Sequence, residues 1–335
     1  VTQQHLDRLF EALNGYHSIL ILPHNDPDPD AIASAVALRY LLIHKLGMRA
    51  EIAYKGMIGR AENKALVRYL NYPLRRLTNL NLRQPVPKAL VDTQPGAGNN
   101  ALPAESAAAI VIDHHPWREE TTTVAFADVR SDVGASSSIL TEYLQAADVV
   151  IPSSLATALF YGIKTDTMGL GRRGSPTDAA AYFYLQPLID ADALVEIERA
   201  QVPVEYFRSF DTALHSVRAY DGLLIAYIGR MAYPDQAAEM ADLLLRLEGT
   251  RWMICIGAYQ NELIVSVRAR GRQGGAGKLA QYLVGERGTA GGHGTMAAAH
   301  FPLDGGDPEQ LAQQIGQRAL EFLKVPPEET GKPLI

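Results

Sequence analysis

Through the first half of the chain, short apolar runs alternate with stretches in which apolar residues recur every three or four positions, the pattern of a parallel α/β sheet covered on both faces. Ser18 to Pro23, Arg49 to Tyr54, Lys88 to Val91 and Ala107 to Ile112 read as strands, with Val124 to Ala127 as a further one. Ala31 to Leu46, Ala135 to Gln145 and Pro152 to Tyr161 read as helices. Thr177 to Leu188, Ala193 to Arg199 and Val204 to Ala219 are helical in period and carry no strand signal. Strand signals return at Leu223 to Ile228, Trp252 to Ala258 and Leu263 to Val267, with helical patterns at Pro234 to Leu247 and Pro308 to Leu323. The expected fold class is α/β, with an N-terminal parallel-sheet domain over residues 1–190, a helical connector over 191–219 and a smaller C-terminal α/β domain over 220–330.

Composition narrows the field of functions. A length of 335 residues suits two cores, and 47% hydrophobic with 20% charged residues is a globular balance. The formal charge of −6 argues against holding long duplex nucleic acid by phosphate neutralisation. The apolar uncharged run Val149 to Ile163 is too short for a bilayer, and the first residues lack the basic-then-apolar order of a signal peptide, so a soluble protein with no membrane partner is expected. The lone Cys255 forbids an internal disulfide and fits a reducing, cytoplasmic setting; inside the apolar run Trp252 to Gly257 it reads as an inert buried thiol.

Candidate chemistry gathers at strand ends. His24-Asn25-Asp26-Pro27-Asp28-Pro29-Asp30 follows an apolar strand and precedes a helix, at the edge where open α/β sheets bind ligands. The prolines hold the loop extended, and carboxylates converging at Asp26, Asp28 and Asp30 repel one another unless a cation sits among them. A plainer alternative is an Asx-rich helix entry capped by Asp30. A calcium loop is excluded, because Ala31 and Ala37 stand where it needs glycine and glutamate. Asp92 and Asp113 end strands, His114 and His115 follow the second, and Asp166 lies in Gly162 to Thr167. Carboxylates with a minority of imidazole and no thiolate favour manganese or magnesium, with cobalt as a third option, over structural zinc. Two further patterns are decoys. Gly169 to Gly174 spells G-x-G-x-x-G but runs into Ser175-Pro176, and Gly277-Lys278 is preceded by Arg272 where a phosphate loop needs its first glycine. The glycine density between Gly271 and Gly294 suggests backbone approaching a ligand or positive φ.

The order His-x-x-x-Asp-x-Asp-Ala, a strand-ending Asp, Asp113-His114-His115 and a later Thr165-Asp166-Thr167 resembles the DHH phosphoesterase superfamily. Ser266-Val267-Arg268 and Gly291-Gly292-His293 resemble its substrate-binding DHHA1 domain, and length and layout are similar to the nanoRNase and pAp phosphatase group, some members of which are called exopolyphosphatase-related. The resemblance implies a centre of two divalent cations, manganese first and magnesium or cobalt after it, held by His24, Asp28, Asp30, Asp92, His114 and Asp166, with Asp92 bridging. It implies that Asp113 orients a histidine and that His115 meets the scissile phosphate. Asp26, Ala33 and Ala290 depart from the family pattern, the first two beside the metal loop.

Two such cations activate water and clamp a phosphoryl oxygen, so a phosphoester or anhydride is the expected substrate, and they would bring the formal charge to about −2. Arg268, Arg270, Gly291, Gly292 and His293 are candidates for a second anion, as are Arg130 and Ser136 beside a helix start. The expected activity is hydrolysis of short oligoribonucleotides or pAp in a cleft between domains. Cyclic or linear dinucleotides, pyrophosphate and polyphosphate are alternatives within the same chemistry, and a nucleotide-binding regulator is the alternative outside it. The sequence does not fix the oligomeric state; a homodimer is one option.

Overall fold

The structure is a computed structural model that describes the chain except residues 1, 73, 78–81, 83–85, 104, 172–173 and 272–273 and the side chain of His293. The chain forms two compact units, Val1–Ala200 and Gln201–Ile335. The first contains α1 (Thr2–Ala12), β1 (Ser18–Pro23), α2 (Pro29–Leu46), β2 (Arg49–Tyr54), α3 (Ala61–Leu70), β3 (Leu74–Arg76), β4 (Lys88–Val91), β5 (Ile110–Asp113), β6 (Phe126–Val129), α4 (Ser136–Ala146), α5 (Ser153–Thr167), α6 (Pro176–Leu185) and α7 (Ala191–Glu198).

Its six strands lie in the order β3-β2-β1-β4-β5-β6, and each neighbouring pair is parallel. The chain crosses the sheet between β3 and β4, so the winding reverses between β1 and β4 and their carboxyl ends open a crevice there. β1 is an unbroken apolar run because both of its faces are covered. Ile19 and Ile21 join the larger core with Ile32, Leu38, Ile139 and Leu155, whereas Leu20 and Leu22 pack with Ala53, Leu90 and Val111. α2 starts where Pro29 presets its first turn and the Asp28 carboxylate accepts the Ala31 N–H at 3.0 Å. The cap is thus Asp28; Asp30 lies inside the first turn. α1, α3 and the three-residue β3 were not anticipated from the sequence.

The expected connector over 191–219 is divided between the units. Leu194 and Ile197 of α7 are buried in the first core, while Ala213 and Val217, in and just after α8 (Val204–Ser216), pack with Leu224 and Ala226 in the second unit. The boundary falls near residue 200 because these neighbouring helices bury their apolar faces in different cores.

The second unit continues with β7 (Arg218–Tyr220), β8 (Leu223–Arg230), α9 (Gln236–Leu244), β9 (Trp252–Tyr259), β10 (Glu262–Ala269), α10 (Ala276–Val284), β11 (Thr289–His293), β12 (Met296–Pro302), α11 (Pro308–Phe322) and β13 (Lys332–Pro333). The sheet order is β11-β12-β10-β9-β8-β7-β13; β8 and β9 pair in parallel and the other pairs are antiparallel. The glycine-dense segment therefore contains a helix and a strand. Two of its glycines answer to close backbone packing: a Cβ on Gly274 (φ +58°) would lie 2.2 Å from the Gly294 carbonyl oxygen, and one on Gly292 (φ +125°) 2.4 Å from Ala297 Cα. Cys255 is buried in β9, and burial pushes its thiol up to about 12. No described helix is long and apolar enough to cross a membrane.

Candidate metal centre

The reversal point of the first sheet gathers the strand-end residues. His24 is the first residue after β1; its Nδ1 donates to the Asn25 carbonyl at 2.7 Å. That leaves Nε2 facing Asp28 Oδ1 at 3.6 Å and Asp92 Oδ2 at 3.5 Å. Asp92 follows β4 in the left-handed region (φ +59°), a conformation that costs a non-glycine residue energy and recurs at functional sites. Its other oxygen, Oδ1, lies 3.3 Å from His114 Nε2 and accepts the Ser136 hydroxyl at 3.0 Å. Asp30 is fully buried against the start of α4, where its two oxygens accept the Ser136 and Ser137 N–H groups, each at 2.7 Å. α5 passes close by only because residue 162 is glycine: a Cβ there would lie 2.6 Å from Ser137 Oγ. The end of that helix brings Asp166 to 3.6 Å from His114 Nε2.

Asp113 ends β5 and holds both histidines. Its Oδ1 accepts the His114 N–H at 2.9 Å and lies 2.8 Å from His115 Nδ1, while Oδ2 accepts Gln94 Nε2 at 2.7 Å. The two imidazoles lie with ring centres 4.4 Å apart. The pleat would send adjacent side chains to opposite faces, but both residues lie beyond the end of the strand and escape that alternation. His115 is half exposed, whereas Asp113 is fully buried.

These groups shift one another strongly. Burial, then the neighbouring Asp92 charge, pushes Asp30 up to about 7. Burial with Asp28 and Asp30 nearby carries Asp166 well above the ordinary carboxylate range. Burial would lower His24, but Asp28 and Asp92 outweigh it and raise it to about 10. His114 is likewise raised against the effect of burial, chiefly by Asp92. Burial would raise Asp113, yet its contact with His115 holds it below the usual value.

The donor set fits divalent cations. His24, Asp28 and Asp92 bring ligand atoms within 4.8 Å of one another, and so do Asp30, His114 and Asp166. Nε2 of His114 is a buried nitrogen with no hydrogen-bond partner, aimed between Asp92 and Asp166. Among the described residues the ion-pair partners of Asp28, Asp92 and Asp166 are histidines, with no Lys or Arg. A cation entering such a set displaces protons from the shifted carboxylates and imidazoles.

The other expected site residues lie elsewhere. Arg130 donates through Nε and Nη2 to Asp128 and through Nη1 to Glu142; its guanidinium braces β6 against α4, which corrects the expectation that it meets phosphate. Ser136 is brought to the centre, but onto Asp30 and Asp92, so it positions carboxylates; this too is a correction. In the second unit Arg268 is buried and bonded to Asp242 and Ser266, Arg270 lies just after β10, and Gly291 and Gly292 pair with Ala298 and Ala297 in β11. The His293 side chain lies outside the described residues. Two supports escaped the sequence reading. Gln94 locks Asp113 and accepts from the Arg118 N–H and the Thr121 hydroxyl, and buried Asp178 accepts from Gly134 N–H and the Ser138 hydroxyl, at 2.7 and 2.6 Å. Asp178 had a signal, the Ser-x-x-Asp capping box from Ser175; Gln94 had none.

Residues 18–163 match the model of the DHH family, N-terminal domain. This segment is a DHH domain. Asp166 falls just past the matched span, on the helix that closes it. An uncharacterized protein of Methanocaldococcus jannaschii is 38% identical over 287 residues, 85% of this chain and 58% of that protein, so the chain spans little more than half the length of that relative. A second uncharacterized protein of the same organism is 22% identical over 85% of this chain and 88% of its own. The crystal structure of an exopolyphosphatase-related protein from Bacteroides fragilis superposes with a TM-score of 0.73 at 16% identity, covering 96% of this chain and 97% of that one, which extends the likeness of fold beyond the DHH domain.

Proposed function

We propose that the DHH domain is a metal-dependent phosphoesterase that hydrolyses short phosphorylated substrates, oligoribonucleotides and pAp-type nucleotides, with two divalent cations, manganese first. The observation that carries this reading is the carboxylate of Asp92, one oxygen facing His24 and the other His114, so that it stands between two donor sets. Bound there, divalent cations would supply Lewis-acid polarisation of a phosphoryl oxygen and an activated water. The chain's own residues supply the rest. His24 and Asp28 form one donor set; Asp30, His114 and Asp166 form the other. His115, anchored at Nδ1 by Asp113, keeps part of its ring open to deliver a proton to the leaving oxygen, and Gln94 keeps Asp113 from turning away. The name of the Bacteroides fragilis relative is consistent with phosphoester or anhydride chemistry.

The test is an assay of the metal-stripped chain with Mn²⁺, Mg²⁺ or Co²⁺ added back. The panel holds diribonucleotides, pAp, cyclic dinucleotides, pyrophosphate and polyphosphate. Turnover of diribonucleotides or pAp, strongest with Mn²⁺, is expected. No turnover on any member of the panel would sink the enzyme reading and favour a nucleotide-binding regulator; turnover confined to pyrophosphate or polyphosphate would replace the substrate class.

A further inference from the structure

A cavity of about 320 Å³ opens on the DHH domain beside the ends of β2 and β3. Tyr54, Met57 and Ile58 give it an apolar wall, and Lys64, Arg68 and Arg76 give it three cations. The cations converge from two elements. Arg76 registers opposite Tyr54 across the β2–β3 pair and so shares its face of the sheet, while Lys64 and Arg68 stand one turn apart on α3. No described carboxylate lines the cavity. The guanidiniums of Arg68 and Arg76 present planar sets of N–H donors that suit a phosphate.

The cavity is tied to the metal loop. The Met57 N–H donates to Asp26 Oδ1 at 2.7 Å, and the Asp26 N–H donates to the Lys55 carbonyl at 3.0 Å. Gly56 (φ +87°) makes this approach possible, because a Cβ there would lie 2.3 Å from the Asp26 carboxylate. The Met57–Ile58 wall is therefore fixed to the loop that carries His24 and Asp28. β2 also lies next to β1 in the sheet, one strand spacing of about 4.8 Å away.

We propose that this cavity holds the nucleotide next to the scissile phosphate of a short single-stranded oligonucleotide. Arg68 and Arg76 take its phosphate; Tyr54, Met57 and Ile58 take its base. The inference rests on the phosphoesterase reading and deepens it. Pyrophosphate has no use for an aromatic and aliphatic wall, whereas a base stacks on tyrosine whatever its sequence. The volume lies at the lower end of the range for small-molecule sites, about 300 to 1,000 Å³, which suits one nucleotide.

Isothermal titration of diadenylate into the full chain in EDTA reads binding without turnover. Arg68→Ala/Arg76→Ala should weaken it by about tenfold or more, and Tyr54→Ala by about threefold or more. Arg75→Ala, which changes the same edge strand at the residue facing Glu51, should bind as the wild type does. Wild-type affinity in the double variant, an equal loss in Arg75→Ala, or no saturable binding by the wild type overturns the cavity. Hydrolysis by the same preparations in Mn²⁺ separates the two readings. Binding lost only in the double variant, with no wild-type turnover, removes the phosphoesterase and keeps the cavity. Turnover with an unchanged KM in the double variant does the reverse.

Discussion

Asp128 of β6 and the carboxylates gathered at the strand ends of the DHH domain are neutralised in different ways. Asp128 in β6 pairs in register with Ile112, one residue before Asp113. Arg130 donates to both of its oxygens at 2.9 and 2.7 Å, the Tyr143 hydroxyl adds a bond at 2.8 Å, and His5 lies 3.2 Å away. Burial would raise Asp128, but Arg130 holds it below the ordinary carboxylate range. Asp28, Asp30, Asp92 and Asp166 are met by imidazoles and backbone N–H groups without a guanidinium, and burial with mutual repulsion drives Asp30 and Asp166 upward. A carboxylate with a covalently attached countercharge next to it is a brace. A group that lacks one takes its countercharge from solution, and such a charge can also meet substrate.

The largest break in this contrast should come from Asp92→Ala. Removing the carboxylate between the two donor sets should lower kcat/KM by about a thousandfold or more and reduce retained metal from about two ions per chain, read by elemental analysis after dialysis. Unaltered rate and metal content would show that Asp92 does not bridge. Asp128→Asn should behave oppositely. It leaves Arg130, largely buried, without its doubly bonded partner, so urea unfolding at neutral pH should show a loss of about 3 kcal/mol while kcat per folded molecule stays the same.

The sequence carried the candidate metal centre further than it carried its supports. His24, Asp28, Asp92, Asp113 and His114 sit at or just past the ends of continuous apolar runs, and in a parallel sheet all such ends point to one edge, so period and polarity brought them together without coordinates. Arg130 follows an apolar strand and precedes Ser136, a pattern that fits phosphate as well as it fits an ion pair. The two bonds to Asp128 decide, and the Glu142 bond that completes them comes from twelve residues away on α4, invisible to any local pattern. Gln94 was hidden for the same reason, because its bonds reach Asp113, 19 residues on. The connector was misread because period shows that a helix has an apolar face, not which core covers it; α7 and α8 turn theirs to different units.

The two groups should also give stability opposite slopes with pH. An unfolded carboxylate titrates near about 4. Asp128 lies lower when folded, so its contribution is present above about pH 4 and is lost as the pH falls through its folded value. Asp30 lies at about 7 when folded, so in EDTA its contribution is present below about pH 4 and is lost as the pH rises to about 7. Urea midpoints in EDTA should therefore show the difference between wild type and Asp30→Asn changing across that upper window, and the difference between wild type and Asp128→Asn shrinking in acid. Saturating Mn²⁺ should flatten the first and leave the second. If both slopes run the same way, the distinction between brace and exchangeable site fails.

The smallest expected effect tests whether the brace is centred where the geometry puts it. Glu142 accepts from Arg130 Nη1 and from the Thr2 hydroxyl at 3.2 Å, and its side chain is 28% exposed against 3% for Asp128. Water can replace much of what Glu142 offers, whereas nothing replaces Asp128. Glu142→Gln keeps an acceptor for Arg130 and leaves both Arg130–Asp128 bonds in place. It should cost about 0.5 kcal/mol or less in urea unfolding, falling further as salt is raised from low to moderate concentration. A loss as large as that of Asp128→Asn would mean that Arg130 is held chiefly from α4. Asp128 would then be a buried charge neutralised from farther away, closer in kind to the carboxylates of the metal centre than its bonds suggest.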